Sequence, residues 1–305
     1  MTNTLKILIF GLIVGVLSAL SFPALAKLEV FACEPEWGAL AKELGGDDVK
    51  VRNATSALQD PHFVTARPSL IAAVRRADLV ICNGADLEIG WLPLLLRKSG
   101  NRDVQPGAKG NFLAADFINK LEIPTSVDRA LGDIHPQGNP HIVGNPNNIS
   151  IVAQALSQRF AEIDPENSAY YQARYQAFND RWQSAIVKWE TAAAPLRGLP
   201  IVVQHKTWVY LTDWLGLKVV ATLEPRPGIP PTTSHLQKVL NEIRDSKPRL
   251  ILNAAYENSK PSRWLAERTG VPAVTLPYTV GGTKEADDIF QLYEVMVNML
   301  LENLE

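Results

Sequence analysis

The sequence predicts an α/β fold of two lobes, each a parallel sheet flanked by helices, joined by one long backbone helix. Three observations carry this. Short apolar runs alternate with amphipathic segments of helical spacing over roughly the first 160 residues, which implies βαβ units. The same alternation resumes beyond residue 194. Between the two, "DPENSAYYQARYQAFNDRWQSAIVKWETAA" (164–193) contains no Gly, and its only Pro is Pro165, placed as a helix opener.

The chain divides accordingly into 1–26, 27–163, 164–193 and 194–305. "MTNTLK" followed by the apolar "ILIFGLIVGVLSALSF" and the small-residue stretch "PALAK" has the form of a secretory signal cut after Ala26. The competing reading is an uncleaved membrane anchor. Export to the periplasm is the expectation. In the first lobe, Leu28 to Cys33 reads as a strand and "EPEWGALAKELGG" as a helix stopped by Gly. "DVKVRNAT" reads as a strand, "RPSLIAAVRRA" as a helix and "ADLVICNGA" as a strand. Residues 98–112 read as irregular, and a helix is expected from near Ile149 to Ile163. About 29 helical residues in the linking segment would span roughly 43 Å, so it reads as a strut. In the second lobe the strands are "LPIVVQH", "LKVVATLEP", "PRLILNAAY" and "PAVTLPY". The helices are "TWVYLTDWLG", "TTSHLQKVLNEIRDS", "PSRWLAERTG" and 284–304.

Without its first 26 residues the chain keeps 279, with 29 basic against 32 acidic side chains. No basic run or aromatic–basic interleaving is present, which argues against nucleic acid as a partner. No second stretch approaches the ~20 apolar residues needed to span a bilayer. Of the two cysteines, Cys33 ends "LEVFAC" and Cys82 ends "ADLVIC". If those runs are adjacent parallel strands the pair can reach disulfide geometry, and an oxidising compartment favours the bridge; a thiolate pair on a metal is the alternative.

Three of the five histidines stand where a strand gives way to a loop: His62 in "ALQDPHFVTARPS", His141 in "GNPHIVGNP" and His205 in "VVQHKTW". In open parallel sheets the ligand crevice lies outside the carboxyl ends of the strands, and neutral imidazole is the commonest metal ligand. One such histidine is more often a solvated turn residue; three, distributed over two lobes, point to a shared metal site. His235 reads as an exposed helical residue, and His135 as either a further ligand or loop surface.

These motifs, their order and "ADLVICNGADLEIGWL" resemble the zinc/manganese substrate-binding proteins of bacterial ABC importers, over essentially all of residues 28–304. The resemblance implies metal capture rather than catalysis, a membrane permease as partner, and a fourth, carboxylate ligand near residue 254 or 278. Ala254 and Tyr278 stand there instead. Water, His135, Glu34, Glu36 or Glu257 remain candidates, and acidic residues at 34 and 36 equally suit a helix N-terminus. Three imidazoles suit Zn, Cu or Ni, whereas Mn²⁺ prefers oxygen-rich sites, and Zn²⁺ is the expectation. An exported three-histidine zinc metallohydrolase is the rival, but neither H-E-x-x-H nor G-x-S-x-G occurs. An adhesin is disfavoured by the absence of repeats. A monomer is expected.

Overall fold

The first sheet is built on β1 (Leu28–Ala32), whose residues are almost all buried, as a strand covered on both faces requires. It pairs in parallel with β2 (Val49–Asn53) and with β3 (Leu79–Cys82), and β3 pairs with β4 (Asn111–Leu113), giving the order β2-β1-β3-β4. Helices α1 (Pro35–Gly45), α2 (Pro68–Arg76) and α3 (Leu92–Ser99) connect them. Each has Pro in its first turn, where the missing N–H costs nothing. This computed structural model describes residues 27–126, 132 and 134–304. The expected signal segment, 1–26, lies outside the described residues.

The second sheet repeats the order with β5 (Pro200–Val203), β6 (Lys218–Thr222), β7 (Leu250–Ala254) and β8 (Ala273–Leu276), arranged β6-β5-β7-β8 and again parallel. Between the sheets run α4 (Pro146–Ile163) and α5 (Ser168–Ala192); α6 (Val209–Leu215), α7 (Thr233–Glu242), α8 (Lys260–Thr269) and α9 (Ile289–Glu302) complete the chain. Among the described residues no helix is long and apolar enough to cross a membrane.

Several sequence expectations are corrected. The linking helix is 25 residues after a single 3₁₀ turn at Pro165–Asn167, not one helix from Asp164. It is not a bare strut either: Tyr171, Phe178, Trp182, Ile186 and Trp189 are buried, and it packs along α4, α1 and α9. The irregular 98–112 stretch ends in β4, too short for its pattern to show. The last helix starts only at Ile289, where Asp288 accepts the N–H of Phe290 and Gln291. His235 is half-buried rather than exposed.

Cys33 and Cys82 form a disulfide, with their Cα atoms 4.8 Å apart. The cause is the register: Ala32 pairs with Ile81, so the next residue of each adjoining strand meets its neighbour. Both are fully buried. The seam between the halves is equally close. Gly144 sits so near the backbone N of Leu211 that a Cβ there would lie 2.7 Å away, and Tyr293 on α9 donates to the Val143 carbonyl at 2.5 Å.

The disulfide closes a loop of about 50 residues and adds ~4 kcal/mol in the chain-entropy model. The double Cys→Ser variant is expected to melt lower, and the wild type to show no free thiol in denaturant by thiol titration.

Candidate metal centre

The carboxyl ends of the two sheets converge, and the three histidines meet there. His62 lies in the loop after β2, His205 two residues after β5, and His141 in the loop before α4. Ring centroids are 5.3 Å apart for His62–His141 and His141–His205, and 5.8 Å for His62–His205. One nitrogen from each falls within 4.8 Å of the others, a spacing that can hold one ion.

Local chemistry fixes each ring. In the Asp-Pro-His turn, Asp60 Oδ1 accepts the backbone N–H of His62 at 3.0 Å; in Asn-Pro-His, Asn139 Oδ1 accepts that of His141 at 3.0 Å. Asp and Asn side chains close such turns two residues on, and proline sets the bend between. Asp60 Oδ1 also accepts from Nδ1 of His62 at 2.8 Å. Nδ1 of His205 donates to Glu224 Oε2 at 2.7 Å, and Nδ1 of His141 pairs with the Tyr278 hydroxyl at 3.1 Å. With Nδ1 protonated, each Nε2 presents a lone pair. The Nε2 atoms of His62 and His141 are buried without any hydrogen-bond partner. A buried acceptor left unsatisfied costs free energy unless something fills it.

The electrostatics suit a divalent cation. Burial holds His141 well below the usual imidazole range, so it stays neutral. Burial also lowers His205, but the hydrogen bond and charge of Glu224 outweigh it and leave this group raised. Asp60 is pushed up by burial yet held below its ordinary value by His62. Asp60 and Glu224 thus bring two carboxyl groups beside three imidazoles.

The other candidates divide. The His135 ring lies 5.4 Å from that of His62, and His135 lines both a cavity of about 370 Å³ with His62 and one of about 480 Å³ with His141 and His205. It stands at the edge of the cluster rather than inside it. Glu34 and Glu36 do not join the three imidazoles. Glu34 occupies the N-cap of α1 without capping it, and its carboxyl faces Glu88. Glu257 folds back to accept from the Ala254 N–H at 2.8 Å and from Thr207 at 3.0 Å; Ala254 itself is buried in β7. Tyr278 orients a histidine in place of the carboxylate ligand expected there. Asp60 stands within the quoted motif and Tyr278 at a position the resemblance marks for a ligand, but that Glu224 and Tyr278 hold histidines has no sequence signal, since those histidines lie 19 and 137 residues away.

Comparison with known proteins places this geometry. The chain is 20% identical over 275 residues to the metal ABC transporter substrate-binding lipoprotein SloC of Streptococcus mutans serotype c, covering 88% of this chain and 87% of that one. It is 21% identical over 295 residues to the manganese ABC transporter substrate-binding lipoprotein PsaA of Streptococcus pneumoniae, covering 95% and 92%. Among solved structures, a crystal structure of ZnuA superposes with a TM-score of 0.75 at 20% identity, over 92% of this chain and 100% of that one. A Cd-bound periplasmic metal-binding protein from candidatus liberibacter asiaticus gives 0.75 at 19%, with the same coverage. The model of the family described as ZnuA, zinc-uptake complex component A, periplasmic, matches residues 30–305. The chain belongs to that family, the metal-binding substrate-binding proteins of ABC importers.

Proposed function

We propose that this protein captures Zn²⁺ in the periplasm and delivers it to the permease of an ABC importer. Membership in a family of solute-binding proteins sets the metallohydrolase aside. The observation that carries the reading is the set of three imidazoles with every Nδ1 hydrogen-bonded and one ring nitrogen of each within 4.8 Å of the others. His62, His141 and His205 are the ligands, and His135, whose ring lies 5.4 Å from that of His62, is the candidate for the fourth. Nitrogen donors alone suit zinc better than manganese, and the phenol at Tyr278 adds no hard oxygen charge. Relatives named for manganese leave that choice to experiment. Lobes 27–163 and 194–305 contribute from either side of the linking helix, and the protein acts as a monomer. The first 26 residues serve as a cleaved signal. Both cysteines are joined to each other, which supports a free periplasmic form over one anchored through a cysteine.

One zinc per chain is expected by metal analysis of protein purified without chelator. His62→Ala, His141→Ala and His205→Ala should each weaken zinc by more than ~100-fold in competition with a chromophoric chelator, since loss of an outer partner alone costs 10–100-fold. His235→Ala should bind as wild type. If His62→Ala or His205→Ala does so too, the site is misassigned.

Glu224→Ala should cost ~10–100-fold by the same assay, because His205 loses the acceptor that fixes its tautomer. Zinc affinity should decline as pH falls through the pKa of His205, which Glu224 holds above the usual imidazole value of ~6.5, as protons compete for the ring nitrogen. Isothermal titration from pH 8 to 5.5 checks this.

At a thousandfold excess over Kd, zinc should stabilise the fold by ~4 kcal/mol, read as a raised melting temperature. A melting temperature indifferent to zinc at pH 7.5 would refute the capture role.

A further inference from the structure

Behind Tyr278 the two halves of the molecule close over three carboxyl groups. Glu34 and Glu36 stand at the start of α1 and Glu88 follows β3, and none is more than 2% exposed. The Glu34 carboxyl lies against that of Glu88, with Glu36 close by. Glu88 accepts the backbone N–H of Asn83 at 2.7 Å and of Gly84 at 3.1 Å. Glu36 reaches across to the second half: its carboxylate accepts from the Thr279 hydroxyl, and its own N–H donates to that hydroxyl at 3.0 Å. Both oxygens of Glu34, Oε1 of Glu36 and Oδ1 of Asn83 are enclosed without a hydrogen-bond partner.

Nothing cationic offsets them. Among the described residues none of the three takes part in an ion pair with Lys, Arg or His. The titratable groups facing the cluster are Tyr278, after β8, and Tyr293, on α9, neither of which offers a positive charge. The arginines of α5 that reach α1, Arg174 and Arg181, engage Glu43, seven residues and roughly 10 Å further along that helix. On the remaining side Glu88 abuts the sulfurs of the Cys33–Cys82 disulfide. Nor do the three carboxyls share one point of coordination, because they do not supply oxygens that all lie within 4.8 Å of one another. Three unpaired negative charges in such a place cost far more than protonating them.

We infer that Glu34, Glu36 and Glu88 form a proton-binding site that latches the two halves of the protein together behind the metal centre. A protonated Glu34 becomes a donor to Glu88. Glu88 in turn holds the N–H groups at the start of a loop in which Gly84, Ala85 and Asp86 all have positive φ, of 81°, 50° and 64°. Such backbone persists only where its surroundings hold it. That loop lines the cavity shared by His62 and His135, and the Nε1–H of Trp91 beyond it donates to the Pro61 carbonyl beside His62. On the other flank Thr279, held by Glu36, adjoins Tyr278, which holds His141. The cluster therefore ties both walls of the metal centre without touching the ion.

The sign of its pH dependence follows from burial, which lifts Glu36 and Glu88 to about 7; burial and the neighbouring carboxyls lift Glu34 well above the usual range. The folded protein keeps protons that the unfolded chain releases above ~4.5, so the contribution is full below that value and lost as pH rises through about 7. Lowered His141 acts in the opposite sense, so the comparison needs a variant lacking only the carboxyls.

The test uses the metal-free full chain, so its result is independent of which ion the histidines bind. Infrared spectra of the wild type should show the carbonyl stretch of protonated, buried carboxyl groups at pH 7, fading as pH is raised toward 9. E34Q/E36Q/E88Q should lose most of the band, keeping only the part due to Glu257, which burial also lifts to about 7. Between pH 6 and 9 the wild type should lose melting temperature relative to this variant by several degrees. Absence of the band from the wild type at pH 7 overturns the proposal, and that measurement stands even if the triple variant does not fold. Calcium or magnesium retained by the wild type after chelation, and lost in the variant, overturns it as well by putting a cation where the protons are assigned.

Discussion

The arrangement depends on holding three buried imidazoles by one nitrogen so that the other is free. A ring with a loose Nδ1 could turn, and its two tautomers would compete; each turn would then expose a donor where an acceptor is needed. Asp60, Glu224 and Tyr278 remove that freedom, and they come from a turn, from the end of a strand and from beyond the last strand. The geometry of the three-histidine cluster is thus as precise as the packing of both sheets. His141, the most deeply buried of the three, leans on a residue of the opposite half, so its orientation depends on the seam staying closed.

That seam is made of backbone contacts as much as of side chains. Leu211 meets Gly144 where no Cβ would fit, Tyr210 donates to the Asn139 carbonyl at 2.8 Å, and the Asn139 amide donates to the Lys206 carbonyl at 3.0 Å. Asn139 therefore braces the His141 turn and also touches the residue next to His205.

The sheets and the three histidines are legible in the sequence because their signals are local. Apolar runs mark buried strands, and Asp-Pro-His and Asn-Pro-His carry within three residues the acceptor that closes each turn. The register that joins Cys33 to Cys82 follows once the strands are known to be neighbours. Residues whose role is set by distant parts of the chain are not legible. Glu224 looks like an ordinary strand-end residue and Tyr278 like a missing ligand until the sheets are assembled, and β4 is too short to show a period. Glu34 and Glu36 have the look of acidic residues at a helix start, yet their carboxyls turn inward to Glu88 and Thr279. Sequence spacing cannot tell a solvated first turn from one buried beneath another lobe.

The shared strand order of the two sheets carries a consequence of its own. Val30 pairs with Leu79 as Ile201 pairs with Leu250, so β1 superposes in register on β5, and β3 on β7. Counting from those pairs, Cys33 matches Gln204 and Glu34 matches His205. The N–H groups of Cys33 and Gln204 indeed bond to equivalent carbonyls, those of Ile81 and Leu252. Asn83 likewise matches Ala254, and each has its N–H capped by a glutamate a few residues on, Glu88 or Glu257. The molecule is a pair of near-equivalent halves whose matching positions have been given different chemistry. One pseudosymmetric place holds an imidazole open to the cleft, and its counterpart holds a carboxyl sealed from it.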